Sequence, residues 1–258
     1  MRPHTPPQPP RWYVISLRPS GGHAGLRRAA AAHGARLLAL SPWRLQRLDG
    51  AAVHAALDAA LGADCTIFTS PEAARAARAL RPLRDGDARA WYAVGAGTAA
   101  ALCRAGVRTV RAPERMDSEG LLALLAADGR DRGRIGLVTA PGGRGVLAPA
   151  LQARGAQVLR ADLYRREPIA PSPRALARLR DLDAPAALAL SSGEALQHVL
   201  QSLSDSDART LRGAWVLAAS ERLAALAREL GFERVRVAAG PRPPQLLAAL
   251  PERSPDVR

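Results

Sequence analysis

The residues best suited to chemistry in this chain are hydroxyls, glycines and arginines placed where strands should give way to helices. Pro141-Gly-Gly-Arg-Gly145 is a donor-rich turn after a β-rich run, built on Gly142 and Gly143, and Arg144 can fork onto a carboxylate or phosphate. Its counterpart earlier in the chain is Pro19-Ser-Gly-Gly22, with Arg18 directly before it. Thr69-Ser70 and Ser191-Ser192 place hydroxyls at two further junctions. Gly95-Ala-Gly-Thr98 resembles an anion nest opening a helix, and its counterpart Ala218-Ala-Ser-Glu-Arg222 retains Ser220 but neither glycine. Taken singly, each serine reads as a helix cap and the glycine segment as a tight turn. Matched pairs at one type of edge read as a binding surface for an anion, because open α/β sheets bind ligands at the carboxyl ends of their strands.

Other chemistries find no support. The five histidines, His4, His23, His33, His54 and His198, lack HxxxH or HxH spacing, so no metal site is expected. There is no Gly-x-Ser-x-Gly nucleophile elbow, and no carboxylate pair recurs beside the loops above. The Gly95 segment lacks the third glycine of a dinucleotide fingerprint, and the 141–145 turn lacks the Lys-Ser/Thr ending of a Walker loop. An enzyme made from these residues would act by binding, orientation and electrostatics.

The elements that must position these residues come in two similar sets. Pro19 and Pro141 stand 122 residues apart, Ser70 and Ser192 122, Trp91 and Trp215 124, and Leu121 and Leu246 125. That period suits duplicated domain-sized halves, with a ligand expected between two similar lobes. The first half predicts strands over 13–17, 66–69, 91–94 and 109–112, and helices over 25–33, 71–80, 98–105 and 118–126. The second predicts strands over 135–139, 187–190, 215–218 and 234–238, and helices over 146–154, 193–203, 221–230 and 244–250. Alternation of this kind implies an α/β fold with parallel sheets. Gly34, Gly106, Gly155 and Gly231 are expected to close helices in the left-handed conformation, and Ser70 and Ser192 to cap them. Two segments, 39–48 and 161–169, break the rhythm at equivalent places and read as linkers, with Trp43 matching Tyr164. The polar stretch 128–134 is a rival boundary.

Composition bounds the partners. The chain has 258 residues and a formal charge of +14, and all 37 basic residues are arginine. A field of that sign draws polyanions, either nucleic acid or a small molecule with many carboxylates. The arginines are dispersed and no helix-turn-helix or aromatic stacking motif is present, so a nucleic-acid partner is not expected. Cys65 and Cys103 lie in apolar stretches and are expected to be buried, reduced thiols, with no disulfide framework. The Pro-rich segment 1–11 reads as disordered and lacks the apolar core of a signal peptide, no apolar run is long enough to span a membrane, and 252–258 reads as a disordered tail. A soluble, cytoplasmic protein is expected.

Together these residues resemble the uroporphyrinogen-III synthase family over roughly residues 12–250. The recognisable pieces are Ser16-Leu-Arg-Pro19, Ile67-Phe-Thr-Ser70, Val94-Gly-Ala-Gly-Thr-Ala99, Thr139-Ala-Pro-Gly-Gly-Arg144 and Leu163-Tyr-Arg-Arg166. The resemblance implies two flavodoxin-like lobes with parallel sheets, joined by a two-stranded linker and exchanging their first βα units. The lobes would comprise 12–38 with 168–251, and 49–160, with linkers 39–48 and 161–167. It also implies a lyase without a cofactor. Such an enzyme cyclises the linear tetrapyrrole hydroxymethylbilane to uroporphyrinogen III, with loss of water and inversion of ring D through a spiro intermediate. Tyr164 matches the family tyrosine proposed to assist departure of the hydroxyl. Arg18, Ser70, Thr98, Gly142, Gly143, Arg144, Ser191, Ser192 and Ser220 are the expected substrate-binding residues, Ser220 standing where a second-copy threonine is missing. A linker pair that crosses would bring Trp43 and Tyr164 together. A monomer is expected, supplied by the preceding enzyme of the pathway, and the alternative is a non-enzymatic two-lobed binding protein for an anionic small molecule.

Overall fold

The computed structural model describes residues 10–88, 90–141 and 145–251. Along the chain come β1 (Trp12–Ser16), α1 (Ala24–Ala32), β2 (Ala35–Ala39) and β3 (Trp43–Arg47). Next are α2 (Ala51–Leu61), β4 (Cys65–Phe68), α3 (Pro71–Leu80), β5 (Trp91–Ala93), α4 (Ala96–Ala105) and α5 (Ser118–Ala127). Then follow β6 (Gly133–Thr139), α6 (Leu147–Gln152), β7 (Ala156–Asp162), β8 (Tyr164–Pro168) and α7 (Pro173–Arg180). The chain continues through β9 (Ala186–Leu190), α8 (Gly193–Ser202), α9 (Asp205–Arg212), β10 (Trp215–Ala218), α10 (Glu221–Glu229), β11 (Val235–Val237) and α11 (Pro243–Leu247). Among the described residues no helix is long and apolar enough to cross a membrane.

The chain divides into two units: Met1–Arg44 with Glu167–Arg258, and Leu45–Arg166. Unit 1 holds a five-stranded sheet in the order β11-β10-β9-β1-β2, and unit 2 a four-stranded sheet in the order β5-β4-β6-β7. Every pairing in both is parallel. The early strand β1 thus pairs with the late strand β9, while β6 and β7 complete the sheet of β4 and β5: the first βα units are exchanged. The chain changes unit within β3 and β8, which form a two-stranded sheet of their own. Leu48 N donates to Leu163 O at 2.9 Å and Ile169 N to Pro42 O at 3.0 Å, so these strands run antiparallel. Across them Arg44 pairs with Glu167, and Arg165 Nε donates to Gln46 Oε1. That register sets Trp43 and Tyr164 at opposite ends of the ribbon, not side by side as the sequence led us to expect.

Period-2 alternation explains why the unit 2 strands read as continuous apolar runs. Phe68, Trp91, Ala93 and Val138 face one core; Cys65, Ile67, Tyr92, Ile135 and Leu137 face the other. A sheet covered on both faces has no solvent side. Gly136 serves a close approach, because a Cβ there would overlap the Ala60 carbonyl at the end of α2. That carbonyl also accepts from Thr66 Oγ1 on the neighbouring strand, at 2.9 Å.

The four expected capping glycines all have positive φ, from 65° at Gly34 to 112° at Gly106. The expected strand over 109–112 is a single bridge, Tyr92 with Arg111, ended by Pro113, which has no N–H to extend a ladder. Cys65 is buried, but Cys103 is exposed, correcting the expectation for it. Helix α4 buries Thr98, Ala101 and Leu102, and the next position turns away to solvent. Of the segments expected to be disordered, 1–11 and 252–258, residues 1–9 and 252–258 lie outside the described residues; Pro10 is buried and Arg11 N donates to Gly34 O at 3.1 Å.

Candidate functional site

In unit 2 the carboxyl ends of β4 and β6 meet the start of β8. Strand β4 ends at Phe68, and Thr69-Ser70 then turns into α3. Ser70 sits in extended backbone at the N-cap, its Oγ accepting from Ala73 N at 3.0 Å, with Pro71 at the first helical position and Glu72 in the first turn. Strand β6 ends at Thr139, whose Oγ1 lies 2.7 Å from Thr69 Oγ1. Tyr164 opens β8, buried, and its phenol oxygen lies 2.9 Å from Ser70 Oγ.

These groups border a cavity of about 350 Å³ whose polar lining includes Thr69, Ser70, Thr139, Arg160, Tyr164 and Arg166. Arg160 is fixed there: Nε and Nη2 donate to the Asp162 carboxylate at 2.9–3.1 Å, and Nη2 also to Ala140 O at 3.1 Å. Pairing with Asp162 makes it a preorganised donor rather than a net positive charge. Gly142, Gly143 and Arg144 lie outside the described residues, although Pro141 and Gly145 on either side border the cavity.

Two sequence signals land elsewhere in unit 2. Thr98, in the first turn of α4, is buried and is not among the residues around the cavity. The Met116 side chain lies against Gly95, where a Cβ would stand 3.3 Å from Met116 Cβ. Thr139 and Arg160 were not singled out from the sequence as binding residues, and Thr69 only as a hydroxyl at its junction. The two threonines end runs of strand residues, and that position was their only signal.

Unit 1 presents its own carboxyl edge. Ser191 follows β9 and is exposed; Ser192 caps α8 by accepting from Ala195 N at 3.3 Å, and Ser220 caps α10 by accepting from Leu223 N at 3.4 Å. The capping register aligns Ser220 with Gly95, which leaves Leu223, buried, where α4 has Thr98. Arg18 follows β1, half-buried, and burial pulls its guanidinium below the usual arginine pKa. It has no carboxylate partner among the described residues. Close by, His23 is buried with both ring nitrogens 2.9 Å from serine hydroxyls, Ser16 Oγ and Ser41 Oγ. Burial, then Arg27 and Arg18, hold its pKa below the usual histidine value. Sequence reasoning dismissed His23 because it looked only for metal spacing.

A sequence model of the family described as "Uroporphyrinogen-III synthase HemD" matches residues 25–248. Two solved structures share the fold. A mutant uroporphyrinogen III synthase from the extremely thermophilic bacterium Thermus thermophilus aligns with a TM-score of 0.55 at 20% identity, covering 92% of this chain and 96% of its own. The enzyme from Helicobacter pylori gives a TM-score of 0.54 at 15% identity, with 92% and 96% covered.

Proposed function

The chain belongs to the uroporphyrinogen-III synthase family, and on that premise we propose which of its residues carry the reaction. The reaction is the lyase cyclisation of hydroxymethylbilane to uroporphyrinogen III, with loss of water and inversion of ring D. Family membership favours this over a non-enzymatic binding protein.

Tyr164 is the proposed acid. The observation that carries this is its hydrogen bond to Ser70 at the edge of the unit 2 cavity. Ser70 Oγ already accepts from Ala73 N–H. If its own proton goes to the Tyr164 oxygen, the phenol proton is left for the substrate. Given to the hydroxymethyl oxygen, that proton lets the group leave as water. The electron pair of the pyrrole nitrogen then fills the vacancy and gives the azafulvene cation. Thr69, Thr139 and the Asp162-paired Arg160 supply neutral or neutralised donors beside it that can hold the leaving water.

The remaining proposed contacts bind substrate carboxylates: Arg18 on unit 1 and Arg144, which follows β6 in sequence, with N–H donors at Gly142 and Gly143. Ser191, Ser192, Ser220 and Thr98 stay proposed as lesser contacts, three of them at helix starts and Ser191 just before one. The chain is also read as a cytoplasmic monomer that receives its substrate from the preceding pathway enzyme; sedimentation with and without that enzyme tests the monomer and the handover. The isomer formed from hydroxymethylbilane by the wild type and by Tyr164→Phe tests the assignment of the acid.

A further inference from the structure

His23 has no part in the scheme above, yet it is buried and its polar atoms are engaged. A neutral imidazole offers one N–H donor and one acceptor nitrogen, so one of Ser16 and Ser41 donates to the ring and the other accepts from it. The ring therefore does not cap α1, although His23 occupies the N-cap position. It spends its hydrogen bonds on tying three places together: the end of β1 at Ser16, the start of α1, and the segment after β2 at Ser41.

Between Ser16 and His23 runs the short loop that carries Arg18. Backbone bonds hold the rest of it, Ser20 N to Trp43 O at 2.9 Å and Gly22 N to Pro19 O at 2.8 Å. The Arg18 side chain is half-buried without a carboxylate partner among the described residues. Arg44, Arg160 and Arg180, in contrast, each meet one within 2.9 Å. A partly desolvated cation without a counter-ion favours an incoming anion, provided the loop is already in place.

We propose that His23 is a positioning residue: through Ser16 and Ser41 it fixes the loop that presents Arg18, and so sets how tightly unit 1 holds a carboxylate of the substrate. The proposal rests on the reading of Arg18 as a substrate contact. An unpinned loop would have to be ordered at the moment of binding, which weakens the ground-state complex and leaves the chemical step alone.

Steady-state kinetics of the full chain on hydroxymethylbilane test this, with type III product as the readout. Arg18→Ala and His23→Ala should each raise KM about tenfold with kcat unchanged, as expected for one charge-assisted contact. The double variant should be no worse than Arg18→Ala alone, because His23 acts through Arg18. His23→Gln, which keeps an acceptor and a donor, should return KM close to the wild-type value. Additive KM effects, an unchanged KM in Arg18→Ala, or a His23→Ala that alters only kcat or only the melting temperature would each overturn the proposal. Should His23→Ala fail to fold, Ser41→Ala severs one ring contact only; its KM should rise, and an unchanged KM would overturn the proposal equally. A wild-type chain that forms no type III product would overturn the functional reading instead, so the two failures are distinguishable.

Discussion

Tyr164 and Ser70 are 94 positions apart in sequence, and their hydroxyl oxygens lie 2.9 Å apart. Ser70 serves two partners through one oxygen, the Ala73 N–H that starts α3 and the phenol that opens β8. The proposed acid is therefore oriented by a helix cap, a group whose own position is fixed by the fold.

Removing the Tyr164 hydroxyl separates chemistry from stability. Tyr164→Phe should lower kcat for type III formation by about a hundredfold or more, the scale of a lost general acid, while costing about 1 kcal/mol of stability. Tyr92→Phe is the matched control. Its phenol donates to Asp128 at 2.7 Å at the edge of the other core of unit 2, and Asp128 keeps Arg111 as a partner. That variant should lose about 1 kcal/mol in urea titration and keep its activity. Equal kinetic losses in the two would remove Tyr164 from the mechanism.

Ser70→Ala should act on both counts. Losing the N-cap costs α3 about 1 kcal/mol, and the freed phenol loses its orienting partner, with an expected fall in kcat of about tenfold, smaller than for Tyr164→Phe. Melting curves and kcat from one preparation check it. A variant as stable as wild type would mean that the cap contributes nothing.

The parallel sheets were legible because a sheet covered on both faces writes continuous apolar runs such as Cys65–Phe68 and Ala186–Leu190. The edge strands β2 and β7 escaped notice, since Arg36, Gln157 and Arg160 interrupt the apolar pattern where one side of the strand meets solvent. Helices α2, α7 and α9 fell in stretches between the repeat matches, α9 being so polar that its buried face has only Ala208 and Leu211 as apolar residues beside Asp207. At the site, Ser70 and Tyr164 were visible as types at junctions, but their contact joins the ends of two strands and no local pattern encodes it. The Gly95 segment shows the same limit: its glycines were visible in the sequence and the Met116 side chain beside Gly95 was not.

His23 gives a pH signature. Its pKa in the folded chain is lowered, first by burial and then by Arg27 and Arg18. The unfolded chain takes up a proton below about pH 6.5, where the native ring stays neutral, so the unfolded state binds more protons and stability falls as the pH drops. Urea midpoints from pH 8 downward should decline below about 6.5, and the decline should be smaller in His23→Gln. Parallel curves for the two proteins would contradict it.

Gly136→Ala should be among the most damaging small changes in unit 2. The added carbon would overlap the Ala60 carbonyl, which is backbone and also holds Thr66. Overpacking of this kind costs about 3 kcal/mol or more. A melting temperature within the error of wild type would mean that α2 and β6 are not as close as described.

The most direct measurement of the central claim supplies hydroxymethylbilane enzymatically and identifies the uroporphyrinogen isomer formed with and without this chain. Type III product in its presence, and mostly type I from Tyr164→Phe at the same concentration, is the predicted result. Type I product alone, whether or not the wild-type chain is added, would contradict it.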